Sequence, residues 1–238
     1  MTLVLYFHPL SSFCQKALVA LYENGTPFEP RIVDLSDEAS RAAFLRLWPI
    51  GKFPVLRDEA RDRLVPESSV IIEYLDRHYP GPAPLMPADP DLALKTRLAD
   101  RFYDLYVHEP MQKIVGDRLR PASERDAFGV AQAKARLQTA YAMIDAEMAT
   151  QMWAAGETFT LADCAAAPAL FYGRLVLPFG DAHLNLARYF ASWIVPPSRG
   201  RSRRRSPISG SSRRRTPPLD ASGARGYRTA RLINQPVQ

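Results

Sequence analysis

Two serines and a cysteine lie close together near the start of the chain, in the segment 11–14 (Ser-Ser-Phe-Cys). An apolar run at 3–7 precedes them and an apolar pattern with helical spacing follows, so a buried strand should lead through a short turn into a helix. Unpaired backbone N–H groups and the helix dipole make a helix N-terminus favourable for an anion. Ser11, Ser12 and Cys14 therefore form the predicted reactive part of the molecule, where a thiolate would be stabilised.

The chain has only two cysteines, Cys14 and Cys164, which is too few for a disulfide scaffold and fits a reducing cytoplasm. Cys14 falls near the end of the first helical turn, and we interpret it mainly as a packing residue. A thiol-transfer activity of Cys14 is the alternative. No apolar segment approaches the roughly 20 residues that span a bilayer, and we expect no signal peptide, no membrane partner and no metal site.

Two further segments combine polar residues with a special backbone position. The segment 52–55 (Lys-Phe-Pro-Val) enters a strand, and Pro54 at its start removes a ladder donor, which suits an entry or edge position. Lys52 can pair with a carboxylate, although exposed lysines are usually solvated. Glu67 and Ser68 stand just before an apolar helical pattern, so they can cap that helix or face a ligand at its N-terminus.

The periodicity of the first 78 residues predicts an α/β domain. A strand, a helix and a strand within the first 35 residues form a βαβ unit, and two short strands and a helix follow at 54–78. Residues 79–90 contain five prolines and are predicted to be a stiff linker.

The segment 91–195 is predicted to be an all-helical domain. One long helix is marked by Leu94, Leu98, Phe102, Leu105 and Tyr106, whose aromatic residues we assign mainly to the core. Further helices are expected at 130–148, from 160 onward and at 181–193. Thr160 is a suitable N-cap for the third of these, and Asp163 can bond back as in a capping box.

The last segment, 196–238, differs in composition from the rest. It carries eleven arginines and one acidic residue, Asp220, whereas the remainder has 20 basic and 24 acidic residues. Such a segment should be disordered, and it could bind nucleic acid through its arginines. The chain contains 26 Arg and 5 Lys, which indicates GC-rich coding, so a shifted reading frame is the alternative explanation of this tail.

Taken together, these residues resemble the soluble glutathione transferase family over about residues 1–195. The motifs are the segment 11–14, the Phe53-Pro54-Val55 segment, the Pro66-Glu67-Ser68 segment and the Thr160/Asp163 pair. The resemblance is greatest to the serine-type, theta- or zeta-like bacterial members. It implies a thioredoxin-like βαβ-ββα domain followed by a helical bundle.

The resemblance also implies roles for these residues. Ser11, or Ser12 as the rival donor, would stabilise the glutathione thiolate; Phe53, a cis Pro54 and Val55 would meet the glutathione cysteine. Glu67 and Ser68 would hold the γ-glutamyl end and Lys52 the glycyl carboxylate. Glutathione is a co-substrate, so no cofactor is expected.

The implied function is conjugation of glutathione to small hydrophobic electrophiles by a cytoplasmic homodimer in detoxification. One alternative is a zeta-type isomerase acting on a maleyl-type diacid, although its usual Ser-Ser-Cys pattern is replaced here by Ser11-Ser12-Phe13. A second alternative is a non-catalytic binding or regulatory protein with the same fold.

Overall fold

The computed structural model describes residues 2–193. The predicted disordered arm at 196–238, its possible nucleic-acid contact and the shifted reading frame all concern residues outside this range. Within the described range, no helix is long and apolar enough to cross a membrane.

The first part of the chain forms a four-stranded sheet with three helices. The strands are β1 (Leu3–Phe7), β2 (Glu29–Ile32), β3 (Val55–Asp58) and β4 (Arg63–Pro66). The helices are α1 (Ser12–Glu23), α2 (Glu38–Leu47) and α3 (Ser68–His78). The sheet order is β2-β1-β3-β4, with β1 and β2 parallel and the other neighbours antiparallel. This is the predicted thioredoxin-like βαβ-ββα arrangement.

Local sequence signals explain where α1 begins and ends. Ser11 is its N-cap in an extended conformation, and Asn24 and Gly25 follow its last residue. Gly25 has φ +64°, which glycine adopts without steric cost and which ends the helix. α1 packs a buried apolar face against the sheet and against the helices of the second part of the chain.

The strand register brings three segments to one end of the sheet. Tyr6, near the end of β1, lies opposite Val55 at the start of β3, and Val55 lies opposite Pro66 at the end of β4. The turn into α1, the cis-proline segment and the start of α3 therefore meet at the same end of the sheet.

The second part of the chain is all helical. It contains α4 (Pro90–Phe102), a π-helical segment (Tyr103–His108), α5 (Glu109–Arg118), a short 3₁₀ turn (Ala122–Glu124), α6 (Ala127–Met148), α7 (Leu161–Val176) and α8 (Leu184–Ser192). Its core comprises mainly residues of the π-helical segment and of α5 to α8. The helical-bundle fold class is confirmed.

One prediction about this domain holds only in part. The predicted long helix is present as a continuous helical stretch over 90–118, but a π-helical segment separates α4 from α5 and the apolar stripe faces outward. Leu94 and Leu98 are 66% and 70% exposed, and Tyr106 is exposed as well. The inward face instead carries Asp100, Asp104 and His108, because these side chains meet polar partners on α1 and α3.

The two parts of the chain share a small apolar cluster at their boundary. It joins α1, α3 and α7 with the extended segment between α3 and α4, and its buried members are Val19, Ala20, Ile72, Leu85, Leu161 and Cys164. This cluster fixes α1 against the helical bundle from the side remote from the sheet.

Candidate functional site

Ser11 lies half-buried at the N-terminus of α1, where its Oγ accepts a hydrogen bond from the backbone N–H of Cys14 at 3.3 Å. Capping uses a lone pair of the hydroxyl and leaves its proton available. Within residues 2–193 the one partner indicated for that proton is the buried Cys14 thiol, and sulfur is a weak acceptor. Capping and donation to a ligand are therefore compatible at Ser11, and the hydroxyl can donate to an anion at the helix N-terminus.

Ser12 has different surroundings, because its Oγ lies 2.7 Å from Nε2 of His108 in a buried contact between the two parts of the chain. The rings of Phe13 and His108 stack with their centroids 4.1 Å apart. Burial, aided by the charge of Lys16, lowers the pKa of His108 to about 3, so the imidazole is neutral at pH 7. The Ser12 hydroxyl thus bonds to a buried side chain of the other part of the chain, whereas the Ser11 hydroxyl contacts only Cys14 in the first turn of its own helix.

Cys14 is fully buried beneath Ser11. Its Sγ accepts a weak hydrogen bond from the backbone N–H of His8 at 3.5 Å. Burial raises the pKa of Cys14 to about 11, against the opposing effect of hydrogen bonds from Ser11 and His8. The thiol stays protonated at neutral pH, which supports the packing role and argues against thiol transfer by Cys14.

The cis-proline segment lies beside this helix N-terminus. The Phe53–Pro54 peptide bond is cis, as expected, and the ring of His8 stacks on Phe53 with centroids 5.9 Å apart. Val55 is paired with both β1 and β4, whereas Phe53 lies outside both strands. No backbone hydrogen bond of Phe53 occurs in the described part of the chain, so its amide and carbonyl are available for an extended peptide.

Glu67 holds a strained position at the start of α3. Its φ of +69° is unusual for a residue with a side chain and costs about 1–3 kcal/mol. The helix has no side-chain cap, and the Glu67 carboxylate makes no ion pair with any described residue. Ser68 follows with only 6% of its surface exposed. Unpaired helix amides and an unpaired carboxylate thus lie side by side, which suits a ligand carrying both charges.

Lys52 is exposed on the loop before Phe53, and within residues 2–193 its ammonium makes no ion pair. The strand register therefore brings five of the predicted site residues to one end of the sheet: Ser11, Phe53, Pro54, Glu67 and Ser68. Lys52 lies at the margin of this group. Val55 contributes to the sheet itself.

A buried ionic cluster behind the site was not predicted from the sequence. Lys16 on α1 is 1% exposed, and its Nζ lies 2.6 Å from Asp100 and 2.8 Å from Asp104 of the helical domain. Ser69 of α3 accepts from the same Nζ at 2.9 Å. Burial raises the pKa of Asp104 although Lys16 opposes the shift. The sequence contained one signal of this cluster: Asp100 and Asp104 lie four residues apart, among apolar residues of a predicted helix.

Thr160 and Asp163 form a capping box at the start of α7. Asp163 also accepts from the backbone N–H of Ala154 at 2.8 Å and from the Tyr189 hydroxyl at 2.7 Å. Burial raises the pKa of Asp163 to about 6 against these hydrogen bonds. This group connects three segments of the bundle and is remote in sequence from the candidate site.

Across residues 2–193, no group of three His, Cys, Asp or Glu side chains is arranged to hold a metal ion.

Comparison with known families gives two matches that cover most of the chain. The model for the glutathione S-transferase N-terminal domain matches residues 5–83, and that for the glutathione S-transferase C-terminal domain matches residues 102–194.

Individual proteins agree with this assignment. The chain is 31% identical to glutathione S-transferase F10 of Arabidopsis thaliana over 208 residues, which cover 81% of this chain and 90% of the relative. It is 31% identical to chloroplastic glutathione S-transferase DHAR3 of the same plant over 105 residues, or 44% of this chain and only 37% of that relative. It is also 27% identical to the stringent starvation protein A homolog of Histophilus somni, covering 71% of this chain and 74% of the relative.

A solved structure has the same overall arrangement. The glutathione S-transferase of Methylobacillus flagellatus KT, crystallised with glutathione bound, aligns with a TM-score of 0.73 at 26% identity, covering 81% of this chain and 94% of that one. With the fold, the two family models and the F10 relative in agreement, the chain belongs to the glutathione S-transferase family.

Proposed function

We propose that this protein binds glutathione at this end of the sheet and activates its thiol as a thiolate for conjugation to small hydrophobic electrophiles. The observation that carries the proposal is the Ser11 hydroxyl, which caps α1 through a lone pair and whose proton has no strong acceptor among residues 2–193. A glutathione sulfur near Ser11 would receive that proton in a hydrogen bond and would also lie at the positive end of the helix dipole.

The magnitudes of these effects are sufficient. A free thiol has a pKa of roughly 8.5, and lowering it by about 2 units requires about 2.7 kcal/mol of preferential stabilisation of the thiolate. A hydrogen bond to a charged group contributes about 1.5–3 kcal/mol and the helix dipole about 0.3–1 kcal/mol. Ser11 acts in this account as a donor, and the nucleophile is the glutathione sulfur.

The remaining contacts of glutathione follow from the free groups around Ser11. The backbone amide and carbonyl of Phe53 would pair with the cysteine portion of the peptide, beside the cis Pro54. Glu67 and Ser68 would hold the γ-glutamyl end at the start of α3. Lys52 would pair with the glycyl carboxylate from the margin of the site.

The electrophile would enter from the solvent side of the turn into α1. Leu10 is exposed and Phe13 half-buried on either side of the serine pair, so an apolar surface borders the expected position of the sulfur. This arrangement favours small hydrophobic electrophiles. It offers no arginine or lysine on α1 beyond the buried Lys16, which gives no support to a maleyl-type diacid as substrate.

The test compares three proteins: the wild type, Ser11→Ala and Ser12→Ala. Each is bound to immobilised glutathione, and its turnover of a chlorinated aromatic electrophile is then measured. We expect all three to be retained, and Ser11→Ala to lose at least about tenfold in kcat, since a donor to a developing anion is removed. Ser12→Ala is the matched control and should keep most of its kcat.

The rival functions give other outcomes of the same test. Binding without turnover of any electrophile by the wild type would favour a non-catalytic binding protein. Turnover of a maleyl-type diacid in place of the chlorinated aromatic would favour the isomerase. Failure of the wild type to bind glutathione would reject the proposed function.

We further propose that the protein is a cytoplasmic homodimer with a role in detoxification. Both cysteines are free, which suits a reducing compartment. The dimer proposal rests on an outward-facing apolar surface formed by Val70 of α3 and Leu94 and Leu98 of α4, all more than half exposed. An ion pair between Glu73 and Arg97 joins these two helices, so this α3–α4 surface is continuous.

A further inference from the structure

Arg101, near the end of α4, extends from the helical domain to the start of α3. Its Nη2 lies 2.5 Å from Oγ of Ser69 and 2.5 Å from Oδ2 of Asp104, and its Nε lies 3.2 Å from Oδ2 of Asp100. Three contacts therefore fix the orientation of the guanidinium. Its Nη1 has no hydrogen bond with any residue in the range 2–193, and the side chain is 52% exposed.

The charges around Arg101 explain why it is held there. The two carboxylates of Asp100 and Asp104 face two cations, Lys16 and Arg101, so the buried cluster is neutral as a whole. Burial acts to lower the pKa of Arg101, and the carboxylates, those of Asp100 and Asp104 first, raise it by more. The contact of Nη2 with Ser69 places the guanidinium two residues along α3 from Glu67. The guanidinium is thus a fixed cation beside the start of α3.

The start of α3 has free groups of its own. The helix lacks a side-chain cap, and the Ser68 side chain is 6% exposed while its hydroxyl makes no hydrogen bond with another described residue. The Glu67 carboxylate makes no ion pair within the described part of the chain. One anion-binding group and one cation-binding group therefore stand next to each other, and Arg101 contacts the next residue of α3, Ser69.

We propose that Arg101 is a substrate-binding residue, which holds the α-carboxylate of the γ-glutamyl end together with the N-terminus of α3, while Glu67 holds the α-ammonium. This inference rests on the proposed function, because it assigns a further residue to the same glutathione site. The donor is Nη1, the guanidinium nitrogen that the internal cluster leaves free.

The proposal has a consequence for specificity. In a γ-linked peptide the first residue keeps both its α-ammonium and its α-carboxylate, and the two charges match Glu67 and Arg101. In the α-linked isomer, α-glutamyl-cysteinyl-glycine, the α-carboxylate has become an amide and the free carboxylate lies farther along the side chain. Arg101 should therefore contribute to discrimination between the two isomers.

The experiment measures dissociation constants of both peptides by calorimetry for the wild type, Arg101→Gln and Arg97→Gln. Arg97 is the matched control: it lies one helical turn earlier on α4, has similar exposure and pairs with Glu73 of α3. We expect Arg101→Gln to weaken glutathione binding about tenfold, because a charge-assisted contact is lost and the cluster becomes net negative. Binding of the α-linked isomer should change less than about twofold, and Arg97→Gln should match the wild type.

A second variant guards against a general loss of structure. Arg101→Lys keeps the positive charge but loses the planar fork, so it should weaken glutathione binding by about threefold, less than Arg101→Gln does. Equal affinity of Arg101→Gln and wild type for glutathione, or equal weakening of both peptides, would overturn the proposal. If the wild type itself does not bind glutathione, the proposed function is rejected. This result differs from the two that would overturn only the role of Arg101.

Discussion

Ser11 and Ser12 are neighbours in the sequence, but their hydroxyls face different surroundings. Ser11 accepts from the amide of Cys14 and keeps its proton, while Ser12 meets the neutral ring of His108 in the interior. The sequence left the choice between these two donors open, because both fall in the first turn of one helix. Only the position of the helical domain, which supplies His108, separates them.

The cysteines yield a prediction at the same scale. Cys14 and Cys164 are both fully buried, and burial raises the pKa of each thiol. We expect neither to react with an aromatic disulfide reagent in the native protein, and both to react after unfolding in denaturant. The measurement is a thiol titration with and without denaturant. Rapid native labelling of one thiol, mapped to Cys14, would restore the thiol-transfer alternative.

The site residues that the sequence indicates and those that it does not indicate differ in how far apart in sequence their contacts lie. Ser11, Pro54, Glu67 and Ser68 belong to short local motifs that also determine turns and helix starts, so the sequence indicates them directly. The contact between Lys16 and Asp104 joins residues 88 positions apart. No local pattern contains such a pair, and it becomes visible only when the domains are assembled.

At the scale of elements, the π-helical segment determines how α1 meets the helical domain. It places Asp104 against Lys16 and His108 against Ser12, one helical turn apart on α1. The long helix predicted over this stretch is present, but its buried face was not identified, because the periodicity was judged from leucines that face outward. Both polar side chains belong to this segment and are buried, and π-helical turns often mark functional positions.

This contact predicts a pH dependence of stability. The pKa of His108 is lowered in the fold to about 3 from an unfolded value near 6.5, so its contribution to stability is complete above pH 6.5 and is lost as the pH falls toward 3. Between pH 7.5 and pH 5 this amounts to about 2 kcal/mol of unfolding free energy. His108→Gln removes the titrating group and keeps a polar partner for Ser12.

The measurement is the difference in unfolding free energy between wild type and His108→Gln at the two pH values. The raised pKa of Asp163 acts in the opposite sense over this range, and comparison of the two proteins cancels it because both contain Asp163. The wild type should lose about 2 kcal/mol more than the variant on acidification. Equal losses in the two proteins would show that His108 is not held neutral.

At the scale of the whole molecule, the α3–α4 surface is apolar and exposed, whereas the inward face of α4 carries Asp100, which is buried and ion-paired. Its leucines marked the apolar stripe of a helix in the sequence, and the structure shows them exposed to solvent. A helix whose inner face is ionic and whose outer face is apolar is explained if a second copy covers the outer face. The fold class was predictable from periodicity, whereas the direction of this face was not.

The dimer proposal is tested by Leu98→Glu, which places a charge at the centre of the α3–α4 surface. Burial of an unpaired carboxylate in an interface is costly, so we expect the apparent mass in light scattering to fall to half. Leu119→Glu is the control, because Leu119 is also strongly exposed but lies at the end of α5, away from this surface. A wild type that is already monomeric, or a variant that remains dimeric, would contradict the assignment of this surface.

If Ser11 stabilises the glutathione thiolate, it lowers the pKa of the bound thiol, and a pH titration of the complex measures that pKa. The thiolate is followed by its ultraviolet absorbance in the complexes of wild type, Ser11→Ala and Ser12→Ala. We expect a wild-type pKa about 2 units below the free value of roughly 8.5, a rise of at least about 1 unit in Ser11→Ala, and little change in Ser12→Ala. A bound thiol whose pKa is the same in Ser11→Ala as in the wild type would contradict it.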